Sequence, residues 1–267
     1  MVELLFWPFL VALVISGIHV YLGLHVVVRE VIFVDLALAQ VAAVGATVGF
    51  LLGMDPDGLP NYITALLFTL MGAWLFTVTR DRNGIIPQEA IIGIAYVVAA
   101  AVMILLLSKA PEGAEHINAL LVGSILFVTP EVVGYTFGLY LLLGVLLYLF
   151  RKKFLEASRL YNHPEAQDRY RWWNFLFYAI FGFVVTTAVK IIGVLLVFSY
   201  LIIPAVGAML FYQTWRARLV AGWSLSVGAS LLGMALSVWL DIPTGAAIVA
   251  TLGGLLVVLG LVKYIRG

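Results

Sequence analysis

The sequence has no cysteine and little charge, and these two shortages exclude several kinds of protein. Without thiols the chain forms neither disulfides nor metal sites built on thiolates. Aspartate, glutamate, lysine and arginine make up 11% of its 267 residues, whereas soluble chains average about 25%. Hydrophobic residues make up 64%. This balance excludes a soluble domain and predicts one membrane domain over residues 1–267, with helices crossing the bilayer.

Motifs of catalysis and nucleotide binding are also absent. No GxxxxGK[ST] loop is present to hold ATP phosphates, and no HExxH, GxSxG or GxGxxG lies in a fitting context. An intramembrane enzyme that uses His19 and Asp35 has no nucleophile to accompany them. We therefore expect a protein that is not an enzyme and binds no cofactor of its own. Because the first basic residue is Arg29, the N-terminal helix does not fit a signal peptide and is expected to remain as a span.

Apolar runs of about 20 residues, long enough for a helix to cross a bilayer, recur along the chain. They predict an all-α membrane protein with nine spans: 4–27, 31–53, 61–79, 88–108, 130–150, 172–190, 191–212, 219–240 and 243–264. Residues 119–127 are too short to cross and are expected to form a re-entrant or interfacial segment. If each span crosses once, 13 of the 15 Lys and Arg residues lie on one side. Because basic residues favour the cytoplasm, this predicts the N-terminus outside and the C-terminus in the cytoplasm.

The longest polar stretch covers residues 151–171, and we call it the polar segment. It holds nine of the 29 charged residues, six of them basic. Its start has the pattern of a short amphipathic helix, in which Phe154, Leu155 and Leu160 could enter a groove on a partner. The basic side chains would meet that partner or anionic lipid headgroups. We expect a soluble partner to dock here; the alternative is a solvated loop held inside by its charge.

Glycine and proline mark two further features. The GxxxG motifs at 45–49 and 134–138 predict close helix packing, either within one subunit or between two subunits. Pro204 lies inside the span 191–212 and is expected to kink or break that helix, as in helices that line a transport pathway.

Ionisable and amide side chains gather in the first helical hairpin. Comparing depths from the turn pairs His19 with Gln40 and His25 with Asp35. Imidazole and carboxylate are good ligands for zinc, manganese or iron, so these four residues are candidate metal ligands. The alternative is a hydrogen bond that only holds the hairpin together. His19 and His25 are six residues apart, about 240° around a helix, so they cannot share one face.

Three other side chains are weaker candidates. Glu89 lies where a carboxylate stabilises the start of a helix. His116 could receive a cation on the outer side but fits a solvated loop better, and His163 belongs to the polar segment.

Five stretches taken in order resemble the membrane permease subunits of ABC-type importers of divalent metals such as zinc, manganese and iron. They are HVVVREVIFVDLALAQVAAVGATVGFLLG at 25–53, QEAIIGIAYVVAA at 88–100, HINALLVGSILFVTPEVV at 116–133, KIIGVLLVFSYLIIPAVGAMLF at 190–211 and DIPTGAAIVATLGGLLV at 241–257. The resemblance implies a transporter in the cytoplasmic (inner) membrane of a prokaryote, with a divalent metal as substrate.

The resemblance also implies partners: a second copy of the chain, cytoplasmic ATPase subunits that bind the ATP, an extracytoplasmic solute-binding protein and membrane lipid, but no nucleic acid. The polar segment occupies the place of the ATPase-docking loop. Its candidate docking residues are Phe154, Leu155, Glu156, Ala157, Ser158 and Arg159.

The chain departs from the family where the metal would bind. Family members have an aspartate and, four residues later, a histidine in the second helix, whereas this chain has Leu36 and Gln40 at those positions. Asp35 lies one residue earlier, and His19 and His25 are candidate substitutes. Two alternatives therefore stay open: a permease of this family with a non-metal or altered substrate, and a secondary transporter or channel driven by an ion gradient.

Overall fold

The computed structural model describes residues 2–56, 58–80, 85–108 and 125–265, with the side chains of 2–4 and 164 left aside. Regular structure in these ranges is entirely helical. The α-helices are α1 (Val2–Arg29), α2 (Val34–Leu51), α3 (Leu59–Val78), α4 (Gln88–Leu107), α5 (Pro130–Leu149), α6 (Arg151–Arg159), α7 (Gln167–Ile192), α8 (Val194–Phe211), α9 (Trp215–Leu240) and α10 (Thr244–Ile265). Two short 3₁₀ turns, Ile125–Phe127 and Pro164–Ala166, complete the order.

Nine helices in the described ranges are long and apolar enough to cross a membrane, namely all except α6. The predicted spans are confirmed in number and order. The largest difference is α7, which begins at Gln167 and not at 172. Because Asp168 lies in its first turn, where a carboxylate is favourable, the helix extends past the apolar run into the polar segment. The predicted segment 119–127 lies outside the described residues except for its last three, which form the first 3₁₀ turn.

The described helices form two compact units, each built from separated stretches of chain. The first unit comprises α1 up to Val27, α5 up to Leu146, α7 from Lys190 and the helices α8–α10. The second unit comprises the end of α1, the helices α2–α4, the end of α5, α6, and α7 up to Val189. In the first unit α8, α9 and α10 pack on one another, and in the second α2 packs on both α3 and α4.

The two GxxxG motifs differ in how closely their glycines are packed. A Cβ added at Gly45 would lie 2.8 Å from Cβ of Phe68, and one at Gly49 would collide with the Asn61 side chain, so this motif seats α2 on α3. At Gly134 and Gly138 an added Cβ would meet nothing within 4 Å. The first motif therefore packs inside the subunit, while the second lies on an exposed face of α5.

Pro204, inside α8, leaves the helix continuous, whereas Gly193, just before α8, interrupts the helical run. Pro204 does not break its helix, since α8 is continuous from Val194 to Phe211 with Pro204 inside it, and the pathway kink at Pro204 stays a prediction. The helical run is interrupted instead at Gly193, the single residue between α7 and α8, which has φ 77°. A left-handed backbone suits glycine because it has no Cβ, so Gly193 separates two spans in a continuous apolar run.

Candidate coupling and metal sites

The helix α6, at the start of the polar segment, turns its apolar face toward its own chain. Phe154 and Ala157 are 0% exposed and Ser158 is 2% exposed. In the second unit the Phe154 ring packs edge-on against Trp173 (centroids 5.6 Å apart) and contacts Phe177 on α7 (6.4 Å). The expectation that Phe154 enters a partner's groove is therefore wrong, because its contacts are satisfied within the chain.

The opposite face of α6 remains accessible. Arg151, Lys152, Lys153 and Arg159 are exposed, and Leu155 and Glu156 are partly exposed. Lys153 and Glu156 form a long surface ion pair of 3.9 Å, which contributes little to stability. A partner that touches α6 meets a mainly cationic surface with one acidic and one aliphatic side chain. We call these six residues the cationic face of α6.

Arg29 is buried beside the inner face of α6. Its side chain is 1% exposed, although it ends the first span. The guanidinium carbon lies 3.9 Å from the ring centre of Phe177, 5.0 Å from that of Tyr161 and 6.0 Å from that of Tyr178. Nε of Arg29 donates a hydrogen bond to Oγ of Ser158 (2.8 Å). We call this group the arginine cage; aromatic faces stabilise its cation, and the bond joins the end of α1 to α6.

Two further contacts surround the cage in the second unit. The hydroxyl groups of Tyr161 and Tyr178 are hydrogen-bonded at 2.6 Å, and the guanidinium of Arg80 lies 3.6 Å from the Tyr161 ring centre. On the surface, Nδ2 of Asn162 donates to Glu30 (3.1 Å), whose backbone has φ 58°. The turn after α1 and the turn after α6 are thus tied together both inside and outside.

His19 has the local geometry of a metal ligand. It is fully buried, and its Nδ1 lies 2.8 Å from the carbonyl oxygen of Ile15. Because a carbonyl only accepts hydrogen bonds, Nδ1 carries the proton, and Nε2 keeps its lone pair in the neutral ring. Nε2 is buried and has no hydrogen-bond partner among the described residues. Ligating histidines commonly donate the other ring N–H to a backbone carbonyl in this way.

His25 has different surroundings in the first unit. It is also fully buried, and its ring packs against Trp215 (centroids 4.6 Å apart) and Tyr21 (4.8 Å). The structure does not bring the two histidines to one face, in line with their six-residue spacing. His25 lies in an aromatic cluster at the start of α9.

Asp35 and Gln40 lie on α2 in the second unit, and both are buried, with Asp35 in the first turn. Oε1 of Gln40 has no hydrogen-bond partner in the described chain. A buried carboxylate is costly unless a proton, cation or hydrogen bonds compensate it. Across residues 2–56, 58–80, 85–108 and 125–265, no three His, Asp or Glu side chains cluster closely enough to hold a metal ion. The four-residue metal site stays a prediction.

The weaker candidates have separate outcomes. Glu89 accepts a hydrogen bond from the backbone N–H of Phe33 (3.0 Å), so its carboxylate serves the start of α2 and not only its own helix. His163 is exposed, with Nδ1 lying 3.2 Å from Oε1 of Glu165. Hydrogen bonds from its own backbone and from His163 lower the pKa of Glu165. His116 lies outside the described residues.

These features define a class: a polytopic helical membrane protein with a short cationic helix outside the spans and a buried imidazole within them. The sequence matches the profile of the ABC 3 transport family over residues 1–263. The chain belongs to this family and is a permease subunit of an ABC transporter, a subunit that has no ATPase site of its own.

Named relatives agree with the family, and a solved structure shares the fold. The chain is 25% identical over 241 residues to the manganese import system permease protein ScaB of Streptococcus gordonii, covering 90% of this chain and 84% of that one. It is 26% identical over 230 residues to ScaB of Streptococcus parasanguinis, covering 86% and 80%. The fold resembles PsaBC from Streptococcus pneumoniae in complex with Fab, with TM-score 0.77, 23% identity and coverage of 96% and 90%.

Proposed function

We propose that this permease forms the pathway of an ATP-driven importer of a divalent transition metal. The observation that carries the proposal is His19, whose buried Nε2 is unpaired while Nδ1 is held by the Ile15 carbonyl. A neutral imidazole in this state binds Mn²⁺, Fe²⁺ or Zn²⁺. The manganese import named for the ScaB relatives supports the same substrate class.

The proposed transporter needs partners that supply energy and substrate. Cytoplasmic ATPase subunits would contact the cationic face of α6, and an extracytoplasmic solute-binding protein would deliver the metal. The cytoplasmic membrane of a prokaryote is the proposed location. Asp35, Gln40 and His25 are proposed as further ligands of the metal.

Loss of the His19 side chain should strongly lower metal uptake. In vesicles that contain the permease with its ATPase, His19→Ala is expected to lower ATP-dependent Mn²⁺ uptake by at least about tenfold, the usual effect of disturbing a ligand's environment. His163→Ala is the matched control, since this histidine is exposed and outside the spans. Uptake of Mn²⁺, Zn²⁺ and Fe²⁺ is measured with the radioactive metals.

Equal uptake by the His19→Ala and wild-type complexes would remove His19 from the path. Uptake by the permease alone, without ATPase or ATP, would favour the gradient-driven alternative. Transport of no metal at all by a complex that hydrolyses ATP would favour a different substrate.

A second copy of the chain is expected to pack on α5. The proposed seam is the exposed face around Gly134 and Gly138, where small residues allow close approach of helices. Leucine at both positions should weaken the dimer about tenfold, because overpacking a tight interface costs about 1–3 kcal/mol. Energy transfer between labelled copies in vesicles measures the dimer fraction.

The matched change is Gly45→Leu, which would clash with Phe68 inside the subunit. It should lower the yield of folded protein and leave the dimer affinity of the surviving fraction unchanged. An unchanged dimer fraction in the α5 variant would place the seam on another face.

A further inference from the structure

We propose that Arg29 is a positioning residue that links movement of α6 to α1, the helix that carries His19 and His25. The inference rests on the proposed function, because it concerns how ATP hydrolysis is coupled to metal movement. Arg29 touches neither metal nor ATP; it acts through Ser158 on one side and through its own helix on the other.

The first step is the connection between Arg29 and α6. Ser158 is one of the residues on the buried face of α6, and it accepts the hydrogen bond from Nε of Arg29. Phe177 and Tyr178 on α7 and Tyr161 in the turn after α6 enclose the guanidinium. A displacement of α6 therefore displaces Ser158 and one wall of the arginine cage together.

The second step is the continuity of α1. This helix runs without interruption from Val2 to Arg29. His25 lies one turn before Arg29, about 6 Å along the axis, and His19 lies about 15 Å away. A displacement of Arg29 therefore acts on the last turn of the same helix that carries both imidazole rings.

The arginine cage is also specific for a guanidinium group. The planar guanidinium stacks on Phe177 at 3.9 Å while its Nε reaches a hydroxyl group. A lysine ammonium can keep the charge but cannot stack as a plane and donate from the side at once. Arg29→Lys therefore keeps the cation inside the aromatic walls and loses the directed bond to α6.

The experiment measures metal transported per ATP hydrolysed by the complete complex in vesicles. Ser158→Ala removes the acceptor with a minimal change in volume, and Arg29→Lys removes the donor geometry. Neither Ser158 nor Arg29 lies on the cationic face of α6, since both are buried, so both variants are expected to keep ATP hydrolysis. They should lower the metal-to-ATP ratio by about five- to tenfold, the lower part of the range for energetic coupling between sites. Wild-type Mn²⁺ uptake in the same vesicles tests the proposed function separately.

The matched control is Ser230→Ala, which removes another buried hydroxyl, hydrogen-bonded to the Tyr200 hydroxyl at 2.6 Å. A purely structural role for Ser158 predicts that both serine variants lose folded protein and keep the wild-type ratio. An unchanged ratio in Ser158→Ala and Arg29→Lys, with wild-type transport intact, would overturn the inference alone. Loss of wild-type metal transport would overturn the proposed function instead.

Discussion

Reversing charge on the cationic face of α6 should stop coupled transport. In Lys152→Glu with Lys153→Glu, two exposed cations become anions on the surface proposed to meet the ATPase. Like charges placed opposite each other cost several kcal/mol, so ATPase binding should fall by more than about 100-fold and ATP-driven uptake should be lost. Binding of the purified ATPase to the permease in nanodiscs measures the effect directly.

The control carries the same change in total charge on the same predicted side of the membrane. Arg216→Glu with Lys263→Glu alters two exposed residues that are not on α6. This matters because basic residues also set membrane orientation, and both variants disturb that balance equally. If the two variants bound the ATPase equally well, the docking surface would have to lie away from α6.

A methyl group at Gly23 should destabilise the first unit. An added Cβ would collide with the carbonyl oxygen of Leu201 on α8 and would lie 3.4 Å from Cβ of Ala205. Because a backbone carbonyl inside a helix cannot move aside, the helices must separate. Overpacking of this kind costs about 1–3 kcal/mol or more, so Gly23→Ala should lower the Tm by about 5–10 °C.

Gly17→Ala is the matched substitution on the same helix. An added Cβ there meets nothing within 4 Å, and the carbonyl that accepts the Trp223 indole N–H (2.9 Å) is retained. Its Tm should be unchanged or slightly higher, since alanine favours helix over glycine. Thermal unfolding of both variants in one detergent compares them; an equal loss of stability would show that α1 and α8 are not in tight contact at Gly23.

The spans could be predicted because membrane insertion depends on local composition. A run of about 20 apolar residues requires a helix wherever it lies, so each boundary follows from residues nearby. Helix boundaries are harder to predict where the helix ends are polar. Residues 168–171 are charged or aromatic, yet they belong to α7, since a helix can extend beyond the bilayer once its spanning part has formed.

The sequence could not show what each face of α6 contacts. Phe154, Ala157 and Ser158 follow helical spacing, which predicts an amphipathic helix but not what covers the apolar side. The cover is Trp173 and Phe177, about 20 residues later and on another helix. Only the tertiary structure shows that this face is occupied within the chain, leaving the cations for a partner.

Arg29 is the residue that sequence reasoning used only as a charge. As the first basic residue after a long apolar run, it fits a side chain at the membrane surface. Its burial depends on three aromatic rings that lie more than 130 positions later in the chain. By contrast, His19 could be identified from the sequence, because an imidazole within an apolar span is unusual. Its contact with Ile15 is local, one helical turn away.

The single-residue connection at Gly193 has a consequence for biogenesis. Because α7 and α8 are separated by one residue, one helix cannot insert into the bilayer while the other remains in water. The two spans are therefore expected to insert together. In the predicted orientation they carry Lys190 across the membrane, and the apolar length of both helices offsets the transfer of one ammonium group.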